Sequence, residues 1–474
     1  MSTFSRPLSF VFAFVSICCG VAIAAAAEPD LKVGTAIVDV TPQALPVSMT
    51  GSFVDRQATG VHDPLNVRCL VLQSGRNRLA LLTVDSCLVS RETMDDAKRR
   101  AAKAAGIELN SILISATHTH TAVTAVDLAS CHADPRYVEF LTACLAQAVV
   151  EATENLQPAE IGWGVAQLPG EVFNRRYKMK PGAIPPTPLG RTTDQVRTNP
   201  GSTPDVLEHA GPTDPDVMVL AARTLDGKPL ALYCVYSLHY VGGIPADQLS
   251  ADYFGEFAAD VRKKLVGDDK ESPFVALLAN GTSGDINNVD VFHPRPRQEP
   301  FEQVKVVAGR TADAAMSVFR SCKFHKHVTL DASDAELELG VRKPSTEELA
   351  EAESRLQRSE KKPADTTPDV YAREQFELAK WPDTVPLKLQ VLRIGELAIA
   401  TIPCEAFVEI GLEIKQKSPQ KPTFVVGLAN GYNGYLPTPR HHDLGGYETW
   451  RCRWSYLEKD ASVKIVARLL EMLK

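Results

Sequence analysis

Short apolar runs alternate with helix-forming stretches through most of the chain. Leu31 to Val40 reads as a first strand, stopped by Thr41-Pro42. Arg68 to Leu72 and Leu79 to Val84 read as two more, joined through the turn Gly75-Arg76-Asn77. Arg91 to Ala105 has helical composition, Ser111 to Ala116 is a strand, and Pro135 to Asn155 has the spacing of a long amphipathic helix. Val217 to Leu225 and Pro229 to Leu238 predict a hairpin across Asp226-Gly227. Ala251 to Leu265 then reads as a helix, Phe274 to Leu278 as a strand and Gln303 to Phe319 as a helix. Leu387 to Ile394 and Leu397 to Ile402 form a strand pair, and Ala461 to Leu473 closes the chain as a helix. This rhythm predicts an α/β fold, a mixed β-sheet core flanked by helices. Two segments depart from it. Lys178 to Pro215 is rich in Pro, Gly, Thr and Asp, and reads as a long loop over the surface or over a site entrance. Ser345 to Ser359 and Pro368 to Trp381 read as two helices joined by the charged stretch Glu360 to Thr367, an inserted arm.

Several apolar runs end abruptly in polar residues of unusual chemistry. Leu113-Ile114-Ser115-Ala116 runs into Thr117-His118-Thr119-His120. Residues two apart at a strand end point to one side, so two imidazoles there suit a divalent metal. The alternative is a pair of solvated or hydrogen-bonded histidines at a strand-to-loop junction. The run Ala231 to Leu238 ends in His239, and Leu397 to Ile402 ends in Pro403-Cys404-Glu405. Phe424 to Leu428 leads to Asn430-Gly431-Tyr432-Asn433-Gly434-Tyr435, and Phe274 to Leu278 leads to Asn280-Gly281-Thr282-Ser283-Gly284-Asp285. Ligands collect outside strand ends in helix-flanked sheets, and several polar residues converging there can build a metal site with an open position. Each residue also has a plainer reading. His239 suits a core histidine, Glu405 a helix cap, Arg175 a surface ion pair, and the tyrosines ordinary packing. Asp85, His62-Asp63 and Asp252 are weaker candidates: Asp252 reads as a helix cap, His62-Asp63 as a turn. Asp285 and Asn287 are the better candidates for lining a pocket.

Composition narrows the class. The 474-residue chain is 44% hydrophobic and 23% charged, with a formal net charge of −7, which argues against a nucleic-acid scaffold. Arg6 followed by the apolar run Leu8 to Ala27 predicts a signal peptide over residues 1–27 and an exported protein, periplasmic or extracellular. No later segment is apolar enough to span a bilayer. Eight of the ten cysteines lie beyond the leader, scattered and without a Cys-x-x-Cys, so buried thiols are expected and one or two disulfides are permitted.

Ala116-Thr117-His118-Thr119-His120, His239, Pro403-Cys404-Glu405 and Gly434-Tyr435-Leu436-Pro437-Thr438 resemble, in order and separation, the zinc-site segments of the neutral (alkaline) non-lysosomal ceramidases. Val33-Gly34-Thr35-Ala36-Ile37-Val38-Asp39-Val40-Thr41 is similar to that family's first strand, and the resemblance runs from about Leu31 to Lys474. It implies one hydrolase domain over 28–474 that binds Zn2+ through His118, His239, Glu405 and Tyr435. It further implies His120 as the proton-transfer group beside a metal-acidified water, with Arg175 and Tyr447 as oxyanion donors. The implied substrate is an N-acylated lipid, cleaved at its amide, with at most transient contact to a membrane surface.

Two departures stand out. The family segment Gly-Asp-Val-Ser-Pro-Asn reads Gly284-Asp285-Ile286-Asn287-Asn288 here, so Asn287 replaces a serine assigned to the catalytic centre. An amide cannot act as a nucleophilic hydroxyl, although it can still hydrogen-bond a carbonyl. The immunoglobulin-like module that often follows the catalytic domain is not expected after Ala461 to Leu473. These departures keep two rivals open: a zinc amidase or esterase acting on another acyl compound, such as an acylated sugar or peptide, and a non-catalytic binding protein that retains the fold.

Overall fold

The computed structural model describes residues 1–3, 31–359 and 366–474. The leader expected over 1–27 lies, apart from its first three residues, outside the described residues, as do residues 360–365 of the join between the two late helices.

Nine strands form the larger sheet. Across it lie Val275–Asn280, Pro229–Tyr236, Asp216–Thr224, Gln157–Gln167, Leu31–Asp39, Asn66–Ser74, Asn77–Val84 and Ile112–Ala116, with Phe324–His325 pairing on Gln157–Gln167. Its two borders are parallel pairs: Pro229–Tyr236 with Val275–Asn280, and Asn77–Val84 with Ile112–Ala116. A second, four-stranded sheet orders Leu330–Gly340, Thr384–Ile394, Leu397–Thr401 and Thr423–Val426, the last two parallel.

Side-chain parity stacks these sheets face to face. Leu70, Leu72, Leu79 and Leu81 point into one core shared with Leu392, Ile394, Ile399 and Phe424 of the second sheet. Their neighbours Cys69, Val71, Ala80 and Leu82 point the other way, under helices Arg91–Ala105 and Pro135–Glu154. Leu232, Cys234 and Tyr236 likewise face helices Asp252–Val266 and Glu302–Ser321. Ala398, Ala400 and Val425 face helices Val408–Lys417 and Ala461–Met472. Period-two alternation in doubly covered strands thus yields four layers, helix–sheet–sheet–helix.

Several expectations need correction. Lys178 to Pro215 is not an unstructured loop. Strands Arg176–Met179, Val196–Thr198 and Val206–His209 form a three-stranded sheet anchored by the buried Tyr177. The late helices, Thr346–Ser359 and Thr367–Ala379, are not an inserted arm, because the second buries Tyr371 and Leu378 in the core of the second sheet. Two long strands of the main sheets escaped the sequence reading. Gln157–Gln167 is interrupted by Gly162 and Gly164, and at Gly162 a Cβ would lie 2.6 Å from the Lys323 carbonyl oxygen. Leu330–Gly340 alternates so strongly acidic that it reads as solvated. The Asp252 carboxylate does hold the first turn of its helix, accepting from Tyr253 N–H at 2.6 Å, and it also accepts from the N–H groups of Val241 and Gly242, while Asp63 accepts from Ala251 N–H. Glu405 does not cap Val408–Lys417; Asp285 accepts from Val408 N–H. All eight cysteines in the described residues are free thiols.

Candidate active site

The carboxyl ends of the parallel strands from both sheets meet at one place. Ala116 N–H donates to Leu428, Asn430 N–H to Ile114, Gly427 N–H to Asn280 and Gly281 N–H to Tyr236, at 2.8 to 3.1 Å. The turns beyond these ends therefore start from a fixed frame. His118 stands two residues past Ile112–Ala116 with φ of 71°, a backbone state rare for a residue with a side chain. Such strain persists where surrounding contacts over-determine it, and here Ser86 accepts from His118 N–H at 2.9 Å.

Three imidazoles converge. His118 Nδ1 lies 2.8 Å from the Cys87 carbonyl, His239 Nδ1 3.0 Å from that of Ser283, and His120 Nδ1 3.0 Å from that of Gly51. A carbonyl only accepts, so the Nδ1 atoms donate and every Nε2 presents a lone pair. Those Nε2 atoms face one another. His118 to His239 is 3.1 Å and His118 to His120 is 3.2 Å. Gly51 makes room for this: with φ of 114°, it passes so close to His120 that a Cβ would sit 2.6 Å from the ring.

Glu405 completes the cluster. It occupies the short parallel strand Glu405–Ala406, paired in register with Tyr435–Leu436, which sets Glu405 beside Tyr435. Tyr432 donates its hydroxyl to Glu405 Oε1 at 3.0 Å. Glu405 Oε2 lies 3.2 Å from His118 Nε2 and 3.8 Å from His239 Nε2, and is buried without a hydrogen-bond partner. A buried carboxylate oxygen facing imidazole lone pairs is costly unless a positive charge stands among them. The titration directions agree. Burial opposes charging His118, yet Cys87 and Glu405 hold its pKa well above the ordinary value. Burial, with the charges of His118 and Arg175, holds His120 and His239 well below theirs. The cluster thus attracts one cation, for which a proton and a metal ion compete. His118, His239 and Glu405 fit a metal ion by geometry and donor chemistry.

The opposite wall is made of donors. Arg175 is buried and passes Nε to Glu448 at 3.0 Å. Its Nη2 donates to the Gly284 carbonyl at 2.8 Å and to Tyr435 Oη at 3.1 Å, while Nη1 lies 3.5 Å from His239 Nε2. Glu448, fully buried, also accepts from Arg176 at 2.6 Å and from the Thr198 hydroxyl at 2.8 Å. Burial would raise the Glu448 pKa, but Arg176 and Arg175 hold it below the usual carboxylate value. Tyr447 packs edge-on to Tyr435 at 5.5 Å.

These groups line one cavity of about 480 Å3, open to solvent at its mouth. His118, His120, Arg175, Glu405, Tyr435 and Tyr447 all lie on its wall; His239 is not on it, and its Nε2 lies 3.1 Å from that of His118. Asn287 is not among the lining residues. Its amide donates to Asn199 at 2.6 Å and its carbonyl accepts from Val289 N–H at 3.0 Å, so it reaches the rim only through Asn199. Asp285 is also off the wall, occupied by Val408 and Asn174. Asp85 is an inner brace, paired with Arg68 at 2.7 Å. The sequence reading missed Glu448, whose adjacency to Tyr447 was the available signal. It missed Tyr240 as well, which stacks on His120 at 3.8 Å and follows His239 in the chain. The segment read as a loop does reach the entrance, through Thr198 and Asn199.

Residues 31–292 match the family model described as neutral/alkaline non-lysosomal ceramidase, N-terminal. Neutral ceramidases A and B of Dictyostelium discoideum are 21% and 20% identical, over 89% of this chain and 70% and 69% of theirs. The crystal structure of neutral ceramidase from Pseudomonas aeruginosa shares the fold with a TM-score of 0.69 at 17% identity, covering 94% of this chain and 74% of that one. A ceramidase complexed with C2 superposes with a TM-score of 0.70 at 16% identity, over 94% and 75%. The chain belongs to the neutral/alkaline non-lysosomal ceramidase family.

Proposed function

We propose that this protein is an exported zinc-dependent hydrolase that cleaves the amide of an N-acylated lipid of the ceramide type, releasing a fatty acid and an amine. The observation that carries the reading is the pairing of two chemistries across one cavity. On one side three imidazole lone pairs and an unpartnered carboxylate oxygen converge. On the other stand a buried guanidinium and the phenol of Tyr447, with Tyr435 between the two sides, beside Glu405 and within 3.1 Å of Arg175.

His118, His239, Glu405 and Tyr435 would hold the ion. Bound there, Zn2+ supplies a Lewis acid and lowers the pKa of water. The chain's own residues do the rest. His120, neutral and with Nε2 free of a proton, accepts the proton of the attacking water; its Nδ1 stays fixed on Gly51. The same imidazole then returns that proton to the leaving nitrogen. Arg175 and Tyr447 donate to the carbonyl oxygen as it gains charge, and burial makes those bonds count. No serine is needed at position 287, because attack comes from water. Export rests on the apolar run from Leu8 to Ala27.

The test pairs zinc content with release of fatty acid from an N-acylsphingosine, in wild type and His118→Ala. About one zinc per chain with His118-dependent release supports the reading. Zinc without release from any acyl compound refutes the hydrolase. A wild-type protein that takes up no zinc refutes the centre.

A further inference from the structure

The cavity is walled in a way that bears on what it admits. Seven of its lining side chains are Phe, Tyr or Trp, and only Leu88, Leu128 and Ala129 are aliphatic. The rings lock one another. Phe53 packs on Trp454 at 5.7 Å and on Tyr447 at 5.9 Å, and Tyr447 on Trp450 at 6.0 Å. Behind them Tyr371, fully buried, touches Trp454 at 5.4 Å and Trp450 at 5.8 Å. Trp450 is pinned by its indole N–H, which donates to Asp194 at 2.7 Å. Edge-to-face rings with two or three neighbours each cannot swing aside without losing several contacts at once. This is a fixed wall rather than a flexible alkyl sleeve of Leu, Ile and Met.

Volume sets the limit. On the scale where a cavity of about 150 Å3 holds one benzene ring, this open pocket has room for roughly 20 heavy atoms. A ceramide with two long chains has about twice as many. One limb fits between the catalytic groups and the aromatic wall; a second long chain must stay outside.

We propose that the site acts on N-acyl amides with a single long chain, or with a short acyl group on a long-chain amine, and that Phe53 and Trp450 set this limit. The proposal rests on the amide-hydrolase reading above and narrows its substrate class. Each methylene that enters the cavity adds roughly four-fold in binding, and the gain stops where the wall stands.

The experiment uses the zinc-loaded protein and two series, N-acylethanolamines and N-acylsphingosines, each with acetyl, hexanoyl, dodecanoyl and palmitoyl groups, in mixed micelles. We expect kcat/KM for dodecanoylethanolamine and acetylsphingosine to exceed that for palmitoylsphingosine at least ten-fold. Phe53→Ala and Trp450→Ala, made separately so that one misfolded variant does not decide the matter, should narrow that ratio three-fold or more. Binding of the same compounds to His118→Ala, read by quenching of tryptophan fluorescence, should give the same ranking without turnover. Equal or faster hydrolysis of palmitoylsphingosine overturns the proposal, and so does a ratio unchanged in both folded variants. If wild type hydrolyses none of the compounds, the hydrolase reading fails on its own, and the binding ranking still decides the size limit.

Discussion

The two walls of the cavity are opposites. The histidine wall has too many acceptors: three Nε2 atoms and one oxygen of Glu405 face each other, and of these groups only His118 is held in a state that favours a proton. The arginine wall has too many donors: Arg175 and Arg176 lean on the single carboxylate of Glu448, and Arg175 still turns its Nη atoms toward His239 and Tyr435. Both carboxylates are buried, yet only one is saturated. The difference assigns the charges each wall can hold. The acceptor wall calls for a cation, and the donor wall is already cationic and suits an oxygen that becomes negative.

Breaking the acceptor wall should have the largest effect. His118→Ala removes the imidazole that contacts both His239 and Glu405. Zinc content should fall below about a tenth of wild type and kcat/KM by about 10^3-fold, because the metal supplies several kcal/mol of transition-state stabilisation. Metal analysis and fatty-acid release on the same sample check this. Full zinc occupancy in the variant would dissolve the distinction between the walls.

Breaking the donor wall should separate binding of the ion from chemistry. Arg175→Ala should lower kcat by about 10^2-fold to 10^3-fold, the range for losing one oxyanion donor, with zinc content unchanged. If the ion is lost too, Arg175 belongs to the metal site and not to an opposing wall. Glu448→Gln is milder. It keeps an acceptor for Arg175 but removes the charge that orients it, and should cost about ten-fold in kcat with little change in KM, as for other groups that orient a functional side chain. An equal loss in both constants would mean general collapse of the pocket.

How much of this was legible follows from distance along the chain. The histidine wall sits where apolar runs stop, and a stop in hydrophobicity is a local signal. His118, His239 and Glu405 could be named from it, and the structure brings them within 4.8 Å by their ligand atoms. The arginine wall has little local signal beyond the adjacency of Glu448 to Tyr447. Arg175 meets Glu448 273 residues later, and nothing in Phe173-Asn174-Arg175 announces that partner. Glu405 was equally good as a helix cap until Asp285, far upstream, proved to hold Val408 N–H. The aromatic wall was invisible for the same reason: Phe53, Tyr371 and Trp450 adjoin only after two sheets have stacked. Apart from Gln157–Gln167 and Leu330–Gly340, the long strands of both sheets were readable one by one, but which face of each met the other sheet was not. Parity becomes meaningful only when a register is known.

The smallest prediction concerns the frame behind the acceptor wall. Lys98, on helix Arg91–Ala105, is almost wholly buried and donates to Asn430 Oδ1 at 2.6 Å; Asn430 in turn donates to Gln390 Oε1 at 2.8 Å and, through its backbone, to Ile114. This polar bridge ties the sheets just below His118. Burial chiefly, and the nearby cation of Lys388, lower the Lys98 pKa to about 7 from an ordinary 10.5. Between those values the unfolded chain binds more protons than the folded one, so stability rises with pH from about 7 towards 10.5 and is flat, at its lower level, below 7. The slope attributable to this one group approaches about 1.4 kcal/mol per pH unit. Lys98→Met keeps the bulk and loses the proton. Denaturant midpoints for both proteins at several values from pH 6 to about 9.5 isolate the effect, because titrations elsewhere cancel in the difference. The wild type should gain on the variant steadily above pH 7. Zinc binding should change little, because no ligand of the acceptor wall touches Lys98. Parallel pH profiles would mean that the amine stays protonated in the fold, and that the bridge beneath His118 carries a charge.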